Sequence, residues 1–280
     1  MKTTNYFQSH GDHNNSVVPD KKQFAEILST IGNWYPVAVA EHSIAEHPEI
    51  KMFALQQTDQ PLSFLSLIAS KPESNEVYSF YPFAQGKEYE VKITKVFEWE
   101  GGYEAYVWAT IGEFEFCFLA TDYFLNKEQY VEGASLPIEL AAIGENIQKG
   151  HEDMKMSVEE TIKFLTQIGQ EPDRDENGDI KPITMGMERL VALLPTFDDL
   201  PHFYEFHSPI NECQVIKGCG EIDITKLKIC ISNAEEDVEV PLYFRTDKCP
   251  TINKERNLMG VLWLQAHIKN AFQPIKAAGK

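Results

Sequence analysis

Apolar and polar residues alternate along much of this chain, most clearly between Lys87 and Ala142. In KEYEVKITKVFE (Lys87–Glu98), Tyr89, Val91, Ile93 and Phe97 share one parity, with Glu88, Glu90, Lys92 and Thr94 between them. A period of two puts apolar side chains on one face of a strand and charges on the other. Glu100-Gly101-Gly102 marks a turn, Tyr103–Ile111 a second strand, and the Ile111-Gly112 break a second turn. EFEFCFLA then alternates through Phe114, Phe116 and Phe118. A short polar stretch of helical character, FLNKEQY, leads to a further alternating run through Leu136, Ile138 and Leu140. Three meandering strands, a helical connection and a closing strand predict a small curved barrel of the OB type. An SH3-like barrel or a half-barrel sheet would give nearly the same pattern.

The pattern returns near the C-terminus. DVEVPLYFRTD (Asp237–Asp247) echoes EFEFCFLATD (Glu113–Asp122), and Leu258–Ile268 answers Val131–Ile143, each with a glycine near its start. Phe206–Lys217 and Lys226–Ser232 supply the first and second strands of this set. The expected fold is therefore α+β and mainly β, with two OB-like antiparallel units related by a degenerate duplication. A helical insert joins them and an α+β segment precedes them. The boundaries are a flexible leader at 1–18, the α+β segment at 19–75, the first β unit at 76–150, the insert at 151–201 and the second β unit at 202–280.

Outside the β units the pattern changes to helical spacing. Asp20 is placed to cap a helix through Phe24, Ile27, Leu28 and Ile31 that ends at Gly32. Trp34–Ala40 reads as a buried strand, Ala45–Leu55 as a helix and Leu62–Ala69 as a short apolar run, with Lys71–Asn75 as a linker. In the insert, Ser157-Val158-Glu159-Glu160 has the form of a capping box before a helix striped by Val158, Ile162 and Leu165 and ended by Gly169. A second insert helix is expected over Met187–Leu194, ending at Pro195.

Composition adds one strong constraint. A net charge of −18 in 280 residues repels phosphate backbones and disfavours nucleic-acid binding. The N-terminal stretch lacks the apolar core of a signal peptide, and no apolar run is long enough to span a bilayer. Five cysteines without a C-x-x-C pair predict reduced thiols in a cytoplasmic protein.

Candidate chemistry is sparse. Asp173, Asp175, Asn177 and Asp179 lie in DRDENGDIKPIT, where alternating carboxylates and Gly178 resemble an EF-hand loop. Thr184 stands where the bidentate glutamate belongs, and Pro172 and Pro182 interrupt the setting, so only weak calcium binding is expected; an acidic turn on Asn177-Gly178 is the alternative. Met185–Leu194 is similar to motif 3 of class II aminoacyl-tRNA synthetases, which would place Arg189 at ATP. No motif 2 accompanies it, and an amphipathic helix with exposed Glu188-Arg189 explains the run. His10, Asp12 and His13 offer metal-ligand types within a polar leader, and His42 and His47 flank Glu46. Cys213, Cys219, Cys230, Cys249 and His207 match no zinc-ribbon spacing. Asp198-Asp199 and Glu235-Glu236-Asp237 are loop charges. No nucleophile elbow, P-loop or dinucleotide fingerprint is present. Trp99, Tyr103, Tyr106 and Trp108 crowd one hairpin and mark a candidate partner surface, or else cross-strand pairs that stabilise it.

These features predict a non-enzymatic intracellular protein that docks a protein partner through its β surfaces, with no required cofactor. The alternatives are an acidic mimic of nucleic acid, and a metal-dependent enzyme or weak calcium binder built on residues 173–184.

Overall fold

The computed structural model describes residues 10–18, 20–40, 51–167, 169–197, 199–219, 221–234, 236–252 and 256–272. The protein is mostly β. Strands β1 (Tyr35–Val39), β2 (Lys51–Gln56), β3 (Leu62–Ser70) and β4 (Asn75–Ala84) form an antiparallel meander in that order. The expected linker at 71–75 is thus the turn between β3 and β4. Nearly every residue of β3 is buried, because one face meets the larger sheet and the other carries a second apolar layer.

The larger sheet holds nine strands among the described residues. They are β5 (Lys87–Glu98), β6 (Ala105–Ile111), β7 (Phe114–Ala120), β8 (Ser135–Lys149), β11 (Ala192–Phe197), β12 (Leu200–Gly218), β13 (Ile222–Ser232), β14 (Val238–Arg245) and β15 (Asn257–Ile268), in the order β11-β12-β13-β14-β8-β15-β7-β6-β5. Additional pairings of β12 with β15 and of β8 with β5 turn the sheet back on itself into a ring-like form. At its centre β8 and β15 run antiparallel, with Ala142 opposite Leu264 and Ile143 opposite Trp263. Around them, β5 gives its first half to β8 and its second to β6, while β12 gives its first half to β15 and its second to β13. β7 lies parallel to β15, and β14 parallel to β8. Strands expected in two separate units therefore belong to one sheet and enclose one apolar cluster, from Val91, Ile93 and Phe118 through Leu227, Val240 and Phe244.

Local detail corrects the strand pattern once. A register shift between Ile93 and Lys95 resets the parity of β5, so Phe97 faces outward at 43% exposure and Val96 packs on the core instead. At the joint between the two sheets, a side chain at Gly86 would strike the β8 backbone at 2.5 Å.

The described residues also form four α-helices: α1 (Gly11–Val17), α2 (Lys21–Ser29), α3 (Tyr123–Asn126) and α4 (Val158–Gln167). The Asp20 carboxylate caps α2 by accepting from the Gln23 N–H at 2.9 Å. Ser157 and Glu160 form the reciprocal capping box of α4, with the Glu160 carboxylate accepting from the Ser157 N–H at 2.7 Å. Its stripe divides, however: Leu165 is buried, whereas Val158 and Ile162 are exposed. The insert also holds β9 (Asp153–Lys155) paired with β10 (Thr184–Gly186).

Three expectations fail here. His10–Val18 is not a loose leader but a buried helical segment, because its histidines and valines fit between the two sheets. Met187–Leu194 is not a helix; β11 runs from Ala192 through Pro195, held by pairing with β12, and Pro195 is tolerated because β11 is an edge strand. Lys51–Leu55 is strand, since pairing with β3 overrides local propensity. Residues 1–9 and 41–50, which include His42, Glu46 and His47, and residues Asp198 and Glu235 lie outside the described set.

Candidate functional site

The densest chemistry lies where α1 enters the inter-sheet core. Three-residue spacing brings His10, at the start of α1, and His13 to one side of the helix. Ser79 arrives on β4, Glu104 immediately before β6, and His202 on β12. Glu104, His10, His13 and His202 are at most 2% exposed. They form a linear chain. Glu104 Oε1 lies 2.8 Å from His10 Nε2, His10 Nδ1 lies 2.9 Å from His13 Nδ1, and His13 Nε2 lies 2.7 Å from His202 Nε2. Ser79 donates a further bond to Glu104 Oε1 at 2.8 Å.

Aromatic rings wall this chain. Trp99 and Tyr81 pack on His10, Phe203 and Trp263 on His13, and Tyr106 on His202. In that apolar setting burial, then the neighbouring His202 and His10, holds His13 well below the usual imidazole range. Burial, then His10, does the same to His202. Burial and the Glu104 and Asp122 carboxylates push the Tyr81 phenol upward.

Proton counting shows what the arrangement can do. Each N···N contact needs one donor and one acceptor, so it holds one proton. With Glu104 ionised and all three rings neutral, the bonds are all satisfied when each donor points toward Glu104. An added proton has two resting places: on His202 while the N···N donors point toward Glu104, and on His10, beside the carboxylate, once both N···N bonds are reversed. Both outer atoms, Glu104 Oε2 and His202 Nδ1, are buried without a hydrogen-bond partner among the described residues. The chain is thus a wire that can carry its proton toward either end. It is not a metal cage, because His10 and His13 spend their two nitrogens in divergent directions. Among the described residues no group of three or more His, Cys, Asp or Glu is arranged to hold a metal ion.

A second buried carboxylate, Asp122, is fully engaged. It accepts from Tyr130 and Asn126 at 2.6 Å and from the Ile268 N–H at 3.1 Å. Burial raises its pKa, opposed chiefly by His267, and its role is to tie the segment after β7 to β15.

The residues singled out in the sequence fall elsewhere. Asp175 uses Oδ1 to accept from the N–H groups of Asn177 and Asp179 at 2.9 and 3.0 Å, building a tight turn with Gly178 at φ +85°. Asp173, Asn177 and Asp179 are exposed around that turn. Of the aromatic hairpin, Tyr103 and Tyr106 are buried, while Trp99 and Trp108 are half-buried, Trp108 beneath the Lys95 ammonium at 4.5 Å. Of the cysteines, Cys213 is exposed and Cys117, Cys219, Cys230 and Cys249 are buried, all as free thiols. His207 contacts the Leu190 carbonyl at 3.0 Å. Glu188 pairs with Arg256 across the surface at 3.0 Å. The H-x-x-H spacing at His10 and His13 was the one local signal for the chain; nothing in sequence ties it to Glu104 or His202.

Comparison of the chain with family models, with curated proteins and with solved structures finds no match.

Proposed function

We propose that this is a non-enzymatic binding protein of the cytoplasm that docks a protein partner along the outer edge of the larger sheet. The observation that carries the reading is the exposure of apolar side chains on β11 and just before it: Leu190 at 38%, Leu194 at 58% and Phe197 at 54%. β11 ends the strand order, and only its β12 side is paired among the described residues. Edge strands left uncovered and apolar are adhesive, and proteins keep them where a partner covers them. A net charge of −18 favours a basic partner segment over phosphate. No described helix is long and apolar enough to cross a membrane.

The matched pairing of β5 through β8 with β12 through β15 further supports descent of the two strand sets from one duplicated unit of OB-like type. Shared order, shared half-strand partners and the two parallel joints are what a duplication folding about a common β8–β15 pair would leave.

Affinity capture with the wild-type chain and with the double variant Leu194→Lys, Phe197→Lys tests the docking reading. A protein retained by the wild type and lost by the variant supports it. Identical retention by both would sink it.

A further inference from the structure

We propose that the Glu104–His10–His13–His202 chain is a proton-operated latch that holds α1 between the two sheets and releases it on acidification. The geometry carries this inference. The polar attachments of α1 include this chain and Asn14, which donates to the Phe80 carbonyl at 3.1 Å. The chain joins four separate segments: α1, β4 through Ser79, the start of β6 and β12.

Its proton capacity is limited. One extra proton can be accommodated, because the chain can shift its bonds until the charge rests on His10, within 2.8 Å of the Glu104 carboxylate. A second charged ring would leave two N–H donors facing each other across one contact at under 3 Å, in a site closed to water. The contact then opens. Among the described side chains, the groups facing the chain offer no second counter-charge: Tyr81 from β4, Tyr106 from β6 and Cys117 behind it on β7 have raised pKa values and stay neutral. Asp122 acts on Tyr81 but makes its hydrogen bonds with Tyr130, Asn126 and Ile268. From β15 and β12 the neighbours are Trp263 and Phe203.

Unlatched histidines titrate near ~6.5, so the opened state gathers protons that the closed chain refuses below that pH. Uptake of two protons on opening would change the opening equilibrium about 100-fold per pH unit. α1 packs through Val17 and Val18 on the cluster between the two sheets, and the cluster inside the ring, which includes no α1 residue, keeps its own packing.

The test is limited proteolysis of the full chain across pH 7.5 to 4.5, with far-UV circular dichroism and tryptophan emission followed on the same samples. Cleavage within residues 10–18 that appears on acidification, with Trp99 and Trp263 emission shifting to the red while the β signal persists, is the expected result. Continued protection down to pH 4.5, or loss of the β signal together with protection, overturns the latch. Glu104→Gln gives the second measurement. It removes the counter-charge while keeping the contact to His10, so release must move to higher pH; an unchanged or lower release pH also overturns the proposal.

Discussion

Two clusters of chemistry-bearing side chains in this protein stand in sharp contrast. The acidic loop at 173–184 is compact in sequence, exposed, and satisfied by its own backbone. The histidine chain is scattered over residues 10 to 202, buried, and held by one contact within α1 and two between distant segments. In the loop, solvent screens the carboxylates and a turn absorbs the one oxygen that converges. Around the chain, no solvent compensates a lost partner, so each proton position matters. Density of ligand types in a sequence is therefore a poor guide to where a protein concentrates its electrostatic stress.

The contrast is broken most directly at His13. His13→Ala removes a wholly buried ring and strands nitrogens on both His10 and His202. It should lower stability by about 3 kcal/mol or more, measured by chemical denaturation at neutral pH. A loss below about 1 kcal/mol would mean that the chain contributes no more than a surface turn does.

Acid should expose the same difference without mutation. His13 and His202 have folded pKa values held below the unfolded value near ~6.5. The unfolded chain therefore binds protons that the folded chain refuses. Their contribution is fully present above about pH 6.5 and is lost as pH falls, at up to about 1.4 kcal/mol per pH unit for each histidine. Denaturation midpoints measured between pH 8 and pH 5 check this, and a flat profile would contradict it. Asp122 acts with the opposite sign: its raised pKa makes the folded carboxylate easier to protonate, which offsets some of the loss only at lower pH.

Asp175→Ala sharpens the other half of the comparison. Loss of two backbone hydrogen bonds in a partly exposed turn should cost about 1 kcal/mol at most and leave the acid profile unchanged. In a calcium titration of the wild type, calorimetry should show no micromolar binding, since the turn already occupies the Asp175 oxygen; tight binding lost in the variant would reverse that reading. Smallest of all is the stability effect of Leu194→Lys with Phe197→Lys, within about 0.5 kcal/mol because both side chains are exposed. A thermal shift larger than this would show that the β11 edge is structural.

By itself the sequence determined the strands whose alternation is regular. Lys87–Glu98 is a strand end to end, and the runs at Phe114–Ala120, Val238–Arg245 and Leu258–Ile268 fall where alternation put them. Such patterns are local, set by the pleat and by glycine turns. Caps were legible for the same reason: Asp20 and the Ser157–Glu160 box act within three residues. Tertiary structure alone decided that both strand sets share β8 and β15 in one sheet, that Phe97 turns outward past a bulge, and that β11 replaces a helix. It also decided that His10 and His13 leave the polar leader for the core. Those outcomes depend on partners up to 189 residues apart, as in the contact between His13 and His202. Burial between two sheets, rather than any spacing along the chain, turned four ordinary side chains into a coupled proton chain.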